Sequence, residues 1–189
     1  MVSVSWVTNS MMVYGGVPFA ISMLTLVVLA AYLSLYFGLF AMGTSWMASA
    51  PWPLNLLVPS ALWVGLEYLR TYALTGFPWI LLGYTQYRHI SLLPIASVAG
   101  VYGLSFLVVL INIALAQWVG GAPARFRSIV FAGALTLALL ASPRLLSPPA
   151  TSAGSEQAIR VALVQGNIDQ GVKWDTAMQA ATIERYRRL

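Results

Sequence analysis

"VGLEYLRTYALTGFPW", residues 64–79, sets an acid and a base three positions apart in an otherwise uncharged run that breaks at a glycine and a proline. Glu67 and Arg70 are the only formal charges in the first 87 residues. A charged side chain at the centre of a membrane helix costs roughly 2.5–3.5 kcal/mol on the insertion scale, so the pair needs a reason. A spacing of three puts both on one helix face, where they can pair. Trp63 and Leu74 extend that face. In one reading Arg70 snorkels to the interface and Glu67 merely neutralises it. In the other the pair lines a wet or headgroup-filled cavity, because ionisable residues inside a membrane are functional candidates by default. An arginine so placed can hold a phosphate through paired hydrogen bonds.

The surrounding composition decides the solvent. The 189 residues are 59% hydrophobic and 8% charged, with a mean hydropathy of +0.79. A soluble domain carries about 25% charged residues. A globular core of this size cannot hide so much apolar surface, and a bilayer can. Only Glu67, Arg70 and Arg88 precede Arg125; the other twelve formal charges lie from Arg125 onward. The chain therefore divides into a membrane part and a water-compatible tail. Its basic pI is no sign of nucleic acid, since no basic patch is interleaved with aromatics for base stacking. Cysteine is absent, which excludes a thiol nucleophile, a disulfide or a thiolate metal site within these residues. His89 is the one histidine and cannot hold a metal alone. "VSVSWVTNS" after Met1 lacks a basic leader region, so no cleavable signal peptide is expected.

Read outward from the opening stretch, the pattern predicts an α-helical integral membrane bundle of about four transmembrane helices. The expected spans are 19–43, 54–74, 92–119 and 129–146, after an extracytoplasmic segment 1–18. Ala30, Ser34 and Gly38 form a row of small residues suited to close helix approach, as do Ala99 and Gly103. Trp46, Trp52 and Trp79 suit the headgroup zone. Pro51 and Pro53 separate the first two spans, Gly76 and Pro78 end the second, and Asn112 needs a partner in the third. A Pro/Ser/Ala linker covers 147–158. Ile159–Ile168 then reads as a buried strand and 175–189 as a helix, with Thr176 and Gln179 as a capping box. One strand and one helix cannot bury a core, so residues 159–189 are expected to open a larger domain. Arg125 and Arg127 mark the 120–127 loop as cytoplasmic, which puts the tail outside the cytosol.

Three stretches carry a resemblance. "AAYLSLYFGLF" (30–40), "ALWVGLEYLRTYALTGFPWILLGYTQ" (61–86) and "IRVALVQGNIDQGVKWD" (159–175) together resemble bacterial apolipoprotein N-acyltransferases in content, order and spacing. The resemblance implies a multi-pass inner-membrane bundle followed by a periplasmic nitrilase-like α-β-β-α domain, of which 159–189 would be a truncated start. It implies acyl transfer from a membrane phospholipid, phosphatidylethanolamine-like, to the amine of a diacylglyceryl-cysteine lipoprotein through a thioester, with no cofactor and no metal. The family's catalytic Glu, Lys and Cys lie beyond Leu189; the one lysine, Lys173, is in another motif. The chain alone is thus expected to be inactive. The resemblance places Arg70 and Trp79 near the membrane-facing mouth of the active site and Trp174 beside the acyl pocket, with Phe77 and Tyr84 as further candidates; Glu67 is a candidate from its charge within the span. A rival reading is a transporter-like or scaffolding bundle in which Glu67 relays protons. It expects an internal repeat, and none is visible. A membrane subunit that recruits a separate hydrolase is a third.

Overall fold

Proline and glycine set most of the helix boundaries. In the computed structural model, which describes residues 4–146, 161–169, 171 and 175–188, Pro18 stands at the N-terminus of the longest helix with the extended backbone that a helix start requires. That helix, α2 (Phe19–Met47), has 29 residues and is about 43 Å long at 1.5 Å per residue. Before it, residues of the expected N-terminal segment form a short helix, α1 (Trp6–Val13), that packs on α2. Pro51 and Pro53 lead into α3 (Leu54–Tyr72), and Pro94 sits in the first turn of α4 (Leu93–Val119). Gly120 and Gly121 close α4, and α5 (Arg125–Leu146) follows. Consecutive helices pack on one another: α2 on α3, α3 on α4, α4 on α5.

The main core lies among α3, α4 and α5. Leu56, Ile95, Leu104, Leu107, Leu110, Ala114 and Ala132 are buried together there. A second cluster, Val4 with Leu26 and Leu33, is flanked by Phe77 and seals α1 onto α2. At one end of the bundle Arg127 lies 4.8 Å over the Trp52 ring and Phe131 meets the same ring edge-on. Ser128 donates to Gln117, which reaches the backbone of Asn55. The 48–53 and 120–127 turns therefore share that end.

Several expectations change. Three helical stretches, 19–47, 90–119 and 125–142, are long and apolar enough to cross a membrane. The second expected span, 54–74, is α3, and it falls below that apolarity because Asn55, Ser60, Glu67 and Arg70 interrupt it. Its polar groups are turned inward: Ser60, Glu67 and Arg70 are all buried. The Ala30–Ser34–Gly38 row does not seat a helix along its length, since a Cβ on Gly38 would meet nothing within 4 Å. The close approach of α2 to α3 is at Gly43, where a Cβ would strike Leu62. Gly103 abuts Ala99 of its own helix, because α4 is broken at Gly100 (φ +62, ψ −170).

The expected strand is also absent among the described residues. Residues 161–169 form no ladder, and Leu163 is 95% exposed. A strand exists only when a neighbour takes its backbone hydrogen bonds, and no described segment does so. Asp175 replaces the expected capping box: its carboxylate accepts from the Ala177 N–H at 2.9 Å, starting the turn that leads into α6 (Gln179–Arg187).

Candidate functional site

The α3–α4 connection departs furthest from regular structure. α3 stops at Tyr72, and Leu74, Thr75 and Gly76 then take positive φ in succession. Glycine is needed at the third, where a Cβ would strike the Thr71 carbonyl. The chain turns back along α3, and the Phe77 N–H donates to the Arg70 carbonyl at 2.9 Å. Ile80 has φ +62. For a β-branched residue that is a true outlier, at a cost of roughly 1–3 kcal/mol unless the surroundings hold it.

Glu67 and Arg70 hold it. They are 2% and 4% exposed. The expected ion pair between them does not form; the ion pairs among the described residues join Glu184 to Arg187 and Arg188. Each side chain instead reaches the loop backbone. Arg70 Nη2 donates to the Ile80 carbonyl at 3.1 Å, and Glu67 Oε1 accepts from the Leu82 N–H at 2.6 Å. The helical spacing of three aims both at one face, and the returning loop fills the space between them and solvent. One residue on, the Gly83 N–H donates to Ser105 Oγ of α4 at 2.8 Å. Thr71 Oγ1 and the Tyr102 hydroxyl, 3.0 Å apart, tie α3 to α4 at the same level.

Behind this loop lies a cavity of about 720 Å³, within the range of about 300–1,000 Å³ usual for ligand sites. Leu33 and Phe37 of α2, Trp63 of α3 and Val109 and Ile113 of α4 line it, and Ile80, Leu81 and Leu82 form its loop wall. The lining is apolar apart from a few groups: Arg70, Asn112, Thr85 and Ser34. Phe37 and Phe40 meet the Trp63 ring edge-on at 5.2 and 5.0 Å. The buried Arg70 Nε and Trp63 Nε1 make no hydrogen bond to a described residue. Such a space accepts an apolar chain, and Arg70 brings one cation to its wall. No group of three or more His, Cys, Asp or Glu among the described residues could hold a metal.

The candidate residues separate accordingly. Arg70 is on the cavity wall, and Glu67 supports the wall from behind. Phe77 and Trp79 stack at 5.1 Å, and Trp79 meets Trp6 of α1 at 5.9 Å, so they form an aromatic cap joining α1 to the loop. Tyr84 is exposed and does not line the cavity. Trp174 lies outside the described residues. Phe37, Phe40, Thr85 and Ser105 were not candidates from sequence, because nothing local distinguishes them from ordinary helix or loop residues.

Comparison with known proteins agrees with this architecture. Residues 1–114 match the family model for the apolipoprotein N-acyltransferase N-terminal domain. Over 97% of its length the chain is 40% identical to an apolipoprotein N-acyltransferase of Geobacter metallireducens. It is 37% and 35% identical, over its full length, to those of Shewanella oneidensis and Haemophilus ducreyi. In each case it spans 36% of the relative, so the chain covers about a third of the length of these proteins. Buried charges on an apolar helix, a lipid-compatible cavity and these matches converge: the chain belongs to the apolipoprotein N-acyltransferase family.

Proposed function

We propose that this chain supplies the lipid-receiving part of an N-acyltransferase, and that its cavity seats the acyl chain of a membrane phospholipid with Arg70 beside the phosphate or ester. The observation that carries this is a largely apolar cavity with a buried guanidinium in its wall. The donor is phosphatidylethanolamine-like and the acceptor a diacylglyceryl-cysteine lipoprotein. The reaction runs through a thioester on a cysteine that these residues do not contain, so the chain alone is inactive. The bundle crosses the bacterial inner membrane four times, with α3 shielded by its neighbours. The end carrying Arg125 and Arg127 faces the cytoplasm, and the tail from 159 onward belongs to a periplasmic nitrilase-like domain.

The test is photolabelling of the chain in nanodiscs. A phosphatidylethanolamine with a diazirine in one acyl chain is expected to label peptides containing Leu33, Val109 and Ile113. A diacylglycerol with the same chain, lacking the phosphate that Arg70 holds, is expected to label them several-fold less. Labels spread evenly over the outward residues Val27, Val28 and Leu115, for either lipid, refute the reading.

A further inference from the structure

We propose that Glu67 is a positioning residue that acts as a hydrogen-bond acceptor for the loop wall of the lipid cavity, and not as a charge partner for Arg70 or a proton carrier. The proposal rests on the reading of the cavity as a phospholipid site. Its geometric basis is independent of that reading.

The Glu67 carboxylate makes one hydrogen bond, from Oε1 to the Leu82 N–H. Its second oxygen is buried and makes none. No titratable side chain among the described residues bonds to it, and Arg70 turns away to the Ile80 carbonyl. A proton carrier among protein side chains needs a hydrogen-bonded titratable neighbour, and among the described residues Glu67 has an amide N–H in that place. An ion pair needs contact, and there is none within ion-pairing distance. What remains is the acceptor role, and the segment held explains why one is needed. Ile80 sits in the left-handed region, which a free chain with this side chain leaves. Arg70 fixes its carbonyl, Glu67 fixes the amide two residues on, and Ser105 fixes the amide after that. The residues so fixed, Ile80, Leu81 and Leu82, form the loop wall of the cavity. Releasing any one bond lets Ile80 relax and moves the wall.

An acceptor can be replaced by another acceptor, whereas a charge cannot. Glu67→Gln keeps an oxygen at the same reach; Glu67→Leu keeps the bulk and removes it. Hydrogen exchange of the 80–83 amides is measured by mass spectrometry on the whole chain in nanodiscs, beside phosphatidylethanolamine photolabelling of the cavity. Glu67→Gln is expected to exchange within about twofold of the parent and to keep the labelling pattern. Glu67→Leu is expected to exchange about tenfold faster at 80–83, the order set by losing one buried hydrogen bond, and to shift labels away from Ile113. Exchange in Glu67→Gln as fast as in Glu67→Leu, or loss of its helical circular dichroism, overturns the proposal by showing that the charge is required. Should Glu67→Leu fail to fold, the glutamine variant alone decides. If the parent shows no cavity labelling while exchange behaves as expected, the lipid reading fails and the acceptor role stands.

Discussion

Gly83→Ala probes the cavity wall without touching a charge. Gly83 is buried in the 3-10 turn Leu82–Gln86, against α4. An added Cβ would strike the Val101 carbonyl and lie 2.9 Å from Val101 Cγ2 and 3.1 Å from Leu104 Cβ. A carbonyl belonging to a packed helix cannot give way, so the loop must move. Overpacking of this kind costs about 1–3 kcal/mol. The movement also breaks the Gly83 N–H bond to Ser105 Oγ, and a buried N–H left alone costs about 1–3 kcal/mol. The two trade off, because moving away relieves the first by incurring the second, which leaves a net of about 1–3 kcal/mol. Gly65→Ala is the control: on α3, with nothing within 4 Å of its Cβ, it should gain about 0.8–1 kcal/mol from helix propensity. Reversible SDS titration of the refolded chain in mixed micelles, read by circular dichroism, should therefore place the two variants on opposite sides of the parent, about 2–4 kcal/mol apart. A Gly83→Ala chain as stable as the parent would refute the packing of the loop on α4 and, with it, the shape of the cavity.

Two further substitutions calibrate the bundle. Leu110→Ala removes a fully buried side chain from the α3–α4–α5 core and should lower stability by about 2–5 kcal/mol in the same titration; a loss under about 1 kcal/mol would mean this core is not packed as described. Glu184→Gln breaks the pairs to Arg187 and Arg188 on α6, and because all three side chains are well exposed the titration midpoint should not move; a clear shift would show that α6 is docked.

The membrane character was legible because charge partition is a global property: Glu67, Arg70 and Arg88 stand alone in 124 residues before Arg125. That Glu67 and Arg70 share a face was legible from helical spacing. Their targets were not. Arg70 reaches ten residues ahead and Glu67 fifteen, across a loop whose path depends on a left-handed Ile80 that no propensity rule anticipates. The strand reading at 159–168 failed among the described residues for a related reason, since a strand is a property of a pair of segments and sequence shows one at a time. The break at Gly100 is not legible in the sequence, because an apolar run on both sides is continuous in any hydropathy window.

These misses share a cause that answers why an apolar helix carries an acid and a base. Residues 73–92 hold only short 3-10 turns and irregular chain, yet Leu81 and Gly83 are buried against apolar helices. Backbone N–H and C=O groups in such a place find no water and must be satisfied by protein, or the segment cannot lie there. A helix cannot donate its own backbone groups, which are already paired. It can offer only side chains, and the ones that serve best are a carboxylate for an N–H and a guanidinium for a C=O. Glu67 and Arg70 are that complement, one acceptor and one donor, three residues apart on the face that meets the loop. On this account their value comes from the backbone they satisfy. The same bonds that let irregular chain enter the bundle also leave Arg70 in the wall of a cavity of a size that suits a lipid tail.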